Sequence, residues 1–442
     1  MQIQLSDHFK YKTLFKFTFP SIIMMIFTSI YGVVDGFFVS NFVGKTPFAA
    51  VNFIMPFLMI LGGLGFMFGT GGGALIAKTL GEGKKEKAQK LFSLLVYVSI
   101  VCGVVLAILG IIFIRPIASL LGAEGQMLED CVLYGRIILC ALPFLILQFE
   151  FQNFFITAEK PQLGLISTLA AGFTNMILDA LLTAVFPFGL NGAAVATAMS
   201  QVIGGIIPLI YFSKKNTSLL KLRKAEMDFK ALTKTVTNGS SELMSNISMS
   251  IVSMLYNVQL LKYAGENGVA AYGTLMYVNL VFIAIFIGYS IGVAPVVGYH
   301  YGAKNHNELK GLKKKSFVII LVSSLVMFIL AEVLAKPLSS IFVGYDKELL
   351  ELTVRGFHIY SFSFLFAGVA IFGSSFFTAL NDGLTSALIS FLRTLVFQIL
   401  AVILFPLIWG IDGIWVSIVM AEVMAVVVTL IFLKTKQKKF NY

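Results

Sequence analysis

Charged side chains are scarce in this sequence: only 12% of its 442 residues are Asp, Glu, Lys or Arg, against about 25% in an ordinary soluble domain. So few charges cannot clothe a water-soluble body of this length. Cysteine is scarcer, and the three present, Cys102, Cys131 and Cys140, lie in or beside apolar segments without metal-ligand spacing. That excludes a disulfide scaffold or zinc module, and they read as packing residues. There are four histidines, and no HExxH, GxSxG or comparable catalytic signature occurs, so no catalytic residues and no enzyme are expected.

What fills the chain instead is apolar: 58% of residues are hydrophobic and the mean hydropathy is +0.90. A bilayer span needs roughly 20 mostly apolar residues. Twelve such segments are expected, near 14–40, 48–77, 91–114, 130–157, 162–185, 192–212, 238–261, 270–299, 316–335, 351–379, 384–405 and 411–433. The fold class is therefore all-α integral membrane. The polar start "MQIQLSDHFKYK" runs straight into a full-length span, so no cleaved signal peptide is expected.

The net charge of +11 first suggests an anionic partner, but its distribution points elsewhere. Lysine and arginine cluster at alternate connections: "KKEKAQK", "SKKNTSLLKLRKAEMDFK", "KGLKKKS" and "KTKQKK". Twenty-five basic residues fall on that side and five on the other, with Arg136, Arg355 and Arg393 inside spans. By the positive-inside rule both termini are expected in the cytoplasm of a multi-pass plasma (inner) membrane protein, with no nucleic-acid partner.

Shifted by 221 residues, the chain overlays itself. Gly71 falls on Gly292, Gly81 on Gly302, Pro116 on Pro337, Gly135 on Gly356, and "FFITA" on "SFFTA". Each half carries six spans, an even number, so both enter the membrane in the same direction. Two six-helix parallel repeats result, an arrangement of secondary transporters with the substrate path between halves. The boundaries are an N-lobe over 1–212, a basic linker over 213–235 and a C-lobe over 236–442. The second span of each half carries Gly- and Pro-rich breaks, "LGGLGFMFGTGGGA" and "GYSIGVAPVVG". Close helix packing and a flexible gate both account for them.

A carboxylate within a span is costly and marks function by default. Helical rise puts Asp35 about 28 Å from Lys16 and Asp179 roughly the same distance from Lys160, so the two share a depth. Asn175 lies one turn from Asp179 on one face, and Thr197 is about 9 Å into its helix from Asn191. All four offer hard oxygen ligands suited to Na⁺, and paired carboxylates also suit proton binding. The repeat places Tyr256 and Leu400 where the first half has Asp35 and Asp179, so the site is asymmetric. Glu150, Glu242 and Asn246 are further candidates for substrate or proton handling. Glu332 with Lys336 reads as a local ion pair, Arg393 with Glu422 as a structural one, and His358 as a packed residue.

The stretch "YGVVDGFFVSNFVG" with Pro20 fifteen residues before its aspartate, "NMILD", "GLNGAAVAT" and "GSSELMSNISMSIVSMLYN" together resemble the multidrug and toxic compound extrusion (MATE) transporters. The resemblance covers nearly the whole chain. It implies alternating access and export driven by inward Na⁺ or H⁺, with Asp35, Asn175, Asp179 and Thr197 at the cation-ligand positions and Pro20 where the first helix bends. A helix-7 glutamate of some relatives aligns near Asn246, with Glu242 one turn earlier, which shifts weight to the N-lobe acids. The expected function is a cation-coupled antiporter for amphipathic, often cationic organic compounds; a lipid-linked precursor flippase or a dedicated metabolite exporter are the alternatives. The expected partners are the organic substrate and membrane lipid. No cofactor is expected beyond Na⁺ or H⁺ as coupling ion, no metal beyond Na⁺ at the cation site, and the working state is expected to be a monomer.

Overall fold

In the computed structural model, residues 3–442 are described, and nearly all of them are helical. Helix α1 (Tyr11–Phe38) runs into a wide π turn, Val39–Val43. Then follow α2 (Lys45–Gly81), α3 (Lys85–Leu120), α4 (Gly125–Thr157), α5 (Pro161–Asp179, with a π turn over Ala180–Val185) and α6 (Gly189–Ser213). The continuous element Phe229–Gly302 is two helices joined at Gly265, where φ is +62° and ψ −151°. These are α7 (229–264) and α8 (266–302). Helix α9 spans His306–Val343. Helix α10 comprises Lys347–Ser361 and Phe364–Ala379, bent by 50°. Helix α11 runs from Gly383 to Leu404 through a π turn at Leu392–Val396, and α12 is Pro406–Phe440. Among the described residues ten helices are long and apolar enough to span a bilayer, or eleven with the bent pair as one span, and dividing the longest element at Gly265 gives the twelve helices α1 to α12.

Local chemistry explains many of the boundaries. Proline opens α5 and α12, where a missing N–H costs nothing. Asp228, Asn305 and Asp346 accept the amides of Ala231, Glu308 and Leu349, capping the starts of α7, α9 and α10. Polar groups inside the spans are largely absorbed locally: Thr70, Thr79, Ser93 and Thr174 each donate to the carbonyl four residues back.

The 221-residue repeat reappears in the backbone. Gly44 and Gly265, at equivalent positions, have φ of +127° and +62°, and Gly189 and Gly410 have +61° and +57°. Only glycine enters that region without strain. A Cβ on Gly81 would lie 2.0 Å from the Tyr299 carbonyl, and one on Gly302 would lie 2.0 Å from the Lys78 carbonyl. Gly71 meets Thr235 and Gly239 of α7, while its repeat mate Gly292 meets Thr18 of α1. Residues 18 and 239 are themselves repeat mates, so each contact is the other's image. The two-repeat arrangement expected from sequence is consistent with this pseudo-two-fold packing. The glycine-rich breaks let backbones touch across the two halves, as close packing requires.

On the side bearing the basic loops, residues 3–10 strap the halves together. The Leu5 amide donates to Glu159 between α4 and α5, 2.6 Å away. The Phe9 amide and His8 Nδ1 engage Glu308 at 2.9 and 2.6 Å, and Lys315 donates to the Phe9 carbonyl. Leu5 and Phe9 are fully buried.

Two expectations about charged groups are corrected. Glu332 pairs with His358 Nδ1 at 2.7 Å and accepts the Ser361 hydroxyl, so it does not serve Lys336. His358 is accordingly half exposed and hydrogen-bonded across α9 and α10, not packed in a core.

Candidate cation site and central cavity

Small residues bring the first site together. Gly172 of α5 faces Phe27 of α1, and any Cβ there would lie 2.4 Å from the ring, so the glycine sets how closely the two helices pack. Gly192 does the same for α6, where a Cβ would lie 2.3 Å from the Leu182 carbonyl in the α5 π turn. Both aspartates sit next to such turns, Asp35 one turn before Val39–Val43 and Asp179 immediately before Ala180–Val185. A π turn realigns the side chains that flank it, and such turns recur at functional sites.

The result is a buried convergence. Asp35 is 9% exposed, Asn175 1% and Asp179 0%. Thr197 Oγ1 donates to Asp35 Oδ1 at 3.1 Å, and the Asp35 carboxylate also lies within reach of the Asp179 and Asn175 side chains. All four residues picked from the sequence are therefore brought together. Among the described residues, neither Asp179 oxygen nor Asn175 Oδ1 has a hydrogen-bond donor. Two facing carboxylates hold only acceptors toward each other, so their meeting requires a proton or a cation between them. The donor set is all oxygen with two carboxylates, which fits Na⁺ or H⁺ and not a soft transition metal. No cluster of three or more His, Cys, Asp or Glu occurs among the described residues. Tyr134, fully buried, stands beside Thr197 and Asp35 and was missed from sequence. A tyrosine among many aromatics in a span gives no local signal of its place.

Pro20 lies inside a continuous α1, buried, with Ser21 and Ile22 against Gly288 of α8. Its ring removes one main-chain hydrogen bond from the helix that carries Asp35.

A second feature is a cavity of about 390 Å³ where α2 and α4 meet the second half. Thr70, Asn153 and Thr157 border it from the first half, and Glu242, Arg393 and Glu422 from the second. Tyr256, the repeat mate of Asp35, also lines it, stacked on Tyr272 at 5.4 Å and donating to Gln398 Oε1 at 2.7 Å. The volume falls within the range of drug-sized sites. Arg393 grips Glu422 through Nε and Nη2 at 2.9–3.1 Å, the ion pair expected from their depths.

The remaining candidates separate. Glu242 lines the cavity. Asn246, one turn on, donates to the Glu242 carbonyl and faces Gly63 of α2. Glu150 is fully buried on the α3 side of α4, near Ser99 and Cys102, away from the cavity.

Twelve helices in two like halves, a buried acid pair and a cavity where the halves meet are the arrangement of a membrane transporter. The chain belongs to the MatE family: the family model matches residues 20–181 and again 243–404, once in each half. It is 27% identical over 414 residues to the multidrug export protein MepA of Staphylococcus haemolyticus, covering 93% of this chain and 90% of that one. MepA of Staphylococcus aureus strain MSSA476 is 26% identical over 420 residues, covering 93% and 91%. Among solved structures, an outward-facing multidrug resistance MATE family transporter of the MOP superfamily superposes with a TM-score of 0.93 at 22% identity, covering 99% and 98%. A MATE in complex with MaL6 gives 0.92 at 21%, covering 98% of each chain.

Proposed function

We propose that this protein exports organic compounds, multidrug-type substrates among them, in exchange for inward Na⁺ or H⁺. The observation that carries the reading is the Asp35–Asp179 pair, buried in one half only and short of donors. A cation or proton bound there shifts the balance between outward- and inward-facing states to the extent that it prefers one of them. The N-lobe (1–212) holds the coupling site, Asp35, Asn175, Asp179 and Thr197. The cavity at the junction with the C-lobe (236–442) holds substrate, with Glu242 on its wall. The basic segment 213–235 links the lobes. Pro20 gives α1 a place to bend as the site fills. Glu150, turned away from the cavity, acts on coupling and not on substrate, and Asn246 tunes the contact between α2 and α7. Both termini face the cytoplasm of the plasma membrane, on the basic side, and the monomer is the working unit, since site and cavity are complete within one chain.

The flippase alternative is disfavoured by charge. A lipid-linked phosphate needs a cationic chamber, whereas this cavity carries two carboxylates against one guanidinium.

The test is transport of a fluorescent lipophilic cation in proteoliposomes under an imposed Na⁺ or H⁺ gradient. The reading expects one gradient to drive accumulation against the dye gradient. Dye movement that ignores both gradients refutes the coupling.

A further inference from the structure

The acid site has a counterpart in the second half that is built without acids. Gly44 and Gly265 fix the repeat register where α1 and α7 end, away from the basic loops, and this sets Tyr256 where the first half has Asp35. Tyr256 is 1% exposed, and its hydroxyl donates to Gln398 Oε1 of α11, 2.7 Å away. Helix α11 is the fifth helix of its half, as α5 is of the first. Each carries a π turn beside the residues in question, Ala180–Val185 after Asp179 and Leu392–Val396 before Gln398. The same two helices are therefore joined in both halves, but by different chemistry. Between α1 and α5 stand two carboxylates that offer each other only acceptors, so a proton or cation must complete the link. Between α7 and α11 a hydroxyl meets a carbonyl, donor to acceptor, and the link is complete as it stands.

The surroundings of the second link are neutral or neutralised. Tyr272 stacks on Tyr256 with the ring planes 4° apart, and Tyr360 is buried close by, where the first half has the aliphatic Val51 and Leu139. Glu422, whose field reaches Tyr256, is held by Arg393 at 2.9 Å. Glu242, on the same helix as Tyr256, lies about 21 Å nearer the basic side by helical rise. Resting on the coupling reading above, we propose that Tyr256 and Gln398 are positioning residues, a permanent, ion-free form of the link that the cation makes in the first half. The ion then decides only whether α1 is drawn to α5, while α7 stays fixed to α11 through the cycle. Were the second link free to open, the halves could rearrange separately, and ions would cross without substrate.

The experiment measures both links in the whole chain, reconstituted in lipid nanodiscs and lacking the three native cysteines. Spin labels are attached at exposed positions, through Phe42→Cys with Val185→Cys for α1 and α5, and through Leu261→Cys with Leu404→Cys for α7 and α11. Distances from pulsed electron spin resonance are compared with and without Na⁺ and at acid and alkaline pH. The first distance is expected to shift with the coupling ion, while the second keeps its position and width. In Tyr256→Phe, and equally in Gln398→Leu, the second distribution should broaden, since loss of one hydrogen bond shifts the ratio of joined to parted helices about 2- to 12-fold. Ion flux per substrate exported should rise with it in proteoliposomes. The double variant should add nothing further, because both substitutions remove the same bond. A second distance that moves with the ion in the otherwise unaltered protein overturns the proposal, whether or not the variants fold. Unchanged ion flux per substrate in both single variants overturns it as well, for the pair would then be a packing contact alone. If neither distance responds to either ion, the coupling reading of Asp35 and Asp179 falls, and this inference with it.

Discussion

Substituting Gly239 by Ala should loosen the seal between the halves on the basic-loop side. Gly239 of α7 crosses Gly71 of α2 so closely that a Cβ there would lie 1.9 Å from the Met67 carbonyl oxygen, with the Met67 carbonyl carbon at 2.7 Å. Real Cβ atoms essentially never come within 3.0 Å of another atom, so the helices must part by about 1 Å, and both obstacles are backbone. Overpacking of this kind typically costs about 1–3 kcal/mol. If the contact exists only while that side is closed, the cost falls on the closed state alone and shifts the ratio of states about 5- to 150-fold. The assay is labelling of single cysteines placed at the ends of α2 and α8 in a variant lacking the three native cysteines. The expected result is faster labelling from the basic side with Tm little changed, because the open state escapes the clash. A lowered Tm with unchanged labelling would refute the reasoning, for it would mean the helices cross at Gly71 and Gly239 in every state.

Other outcomes follow from the same geometry. Thr197→Ala removes one hydrogen bond to Asp35 and should weaken cation binding by about 0.5–1.5 kcal/mol, read as a severalfold rise in the cation concentration for half-maximal transport. Arg393→Met strands Glu422 and should destabilise by about 3–5 kcal/mol, whereas Arg393→Met with Glu422→Leu should recover most of it; thermal unfolding in detergent compares them. Glu308→Gln weakens the hold on the 3–10 strap and should expose the N-terminal residues to a protease added on the basic side, with transport assayed in parallel.

Much of this was legible because membrane burial writes itself into composition. Each span must satisfy its own backbone, so long apolar runs between polar breaks gave the helix count. The repeat was legible because the same close approaches and turns occur twice and both copies need glycine, as at Gly44 and Gly265. Asp35 and Asp179 stood out because a carboxylate in a span is rare, and helical rise sufficed to match their depths. What escaped depends on which faces meet. Glu332 has Lys336 one turn away, yet its carboxylate reaches across to His358 and Ser361, and no spacing within α9 encodes that neighbour. Tyr134 reaches the acid site, and Tyr256 with Gln398 builds the cavity wall, through contacts between helices far apart in the chain. Glu150 and Glu242 look alike in sequence, both isolated acids in spans. Only packing shows that one faces α3 and the other the cavity.

The most direct test compares wild type with Asp35→Asn, Asp179→Asn and the double variant in proteoliposomes under the Na⁺ or H⁺ gradient that drives wild-type transport. Residues that act as one site are strongly non-additive. If the pair forms a single coupling site, each single variant should lose gradient-driven transport as completely as the double, while all fold and still bind substrate. Single variants that keep partial coupling, with losses that add in the double, would show two independent groups and contradict the account.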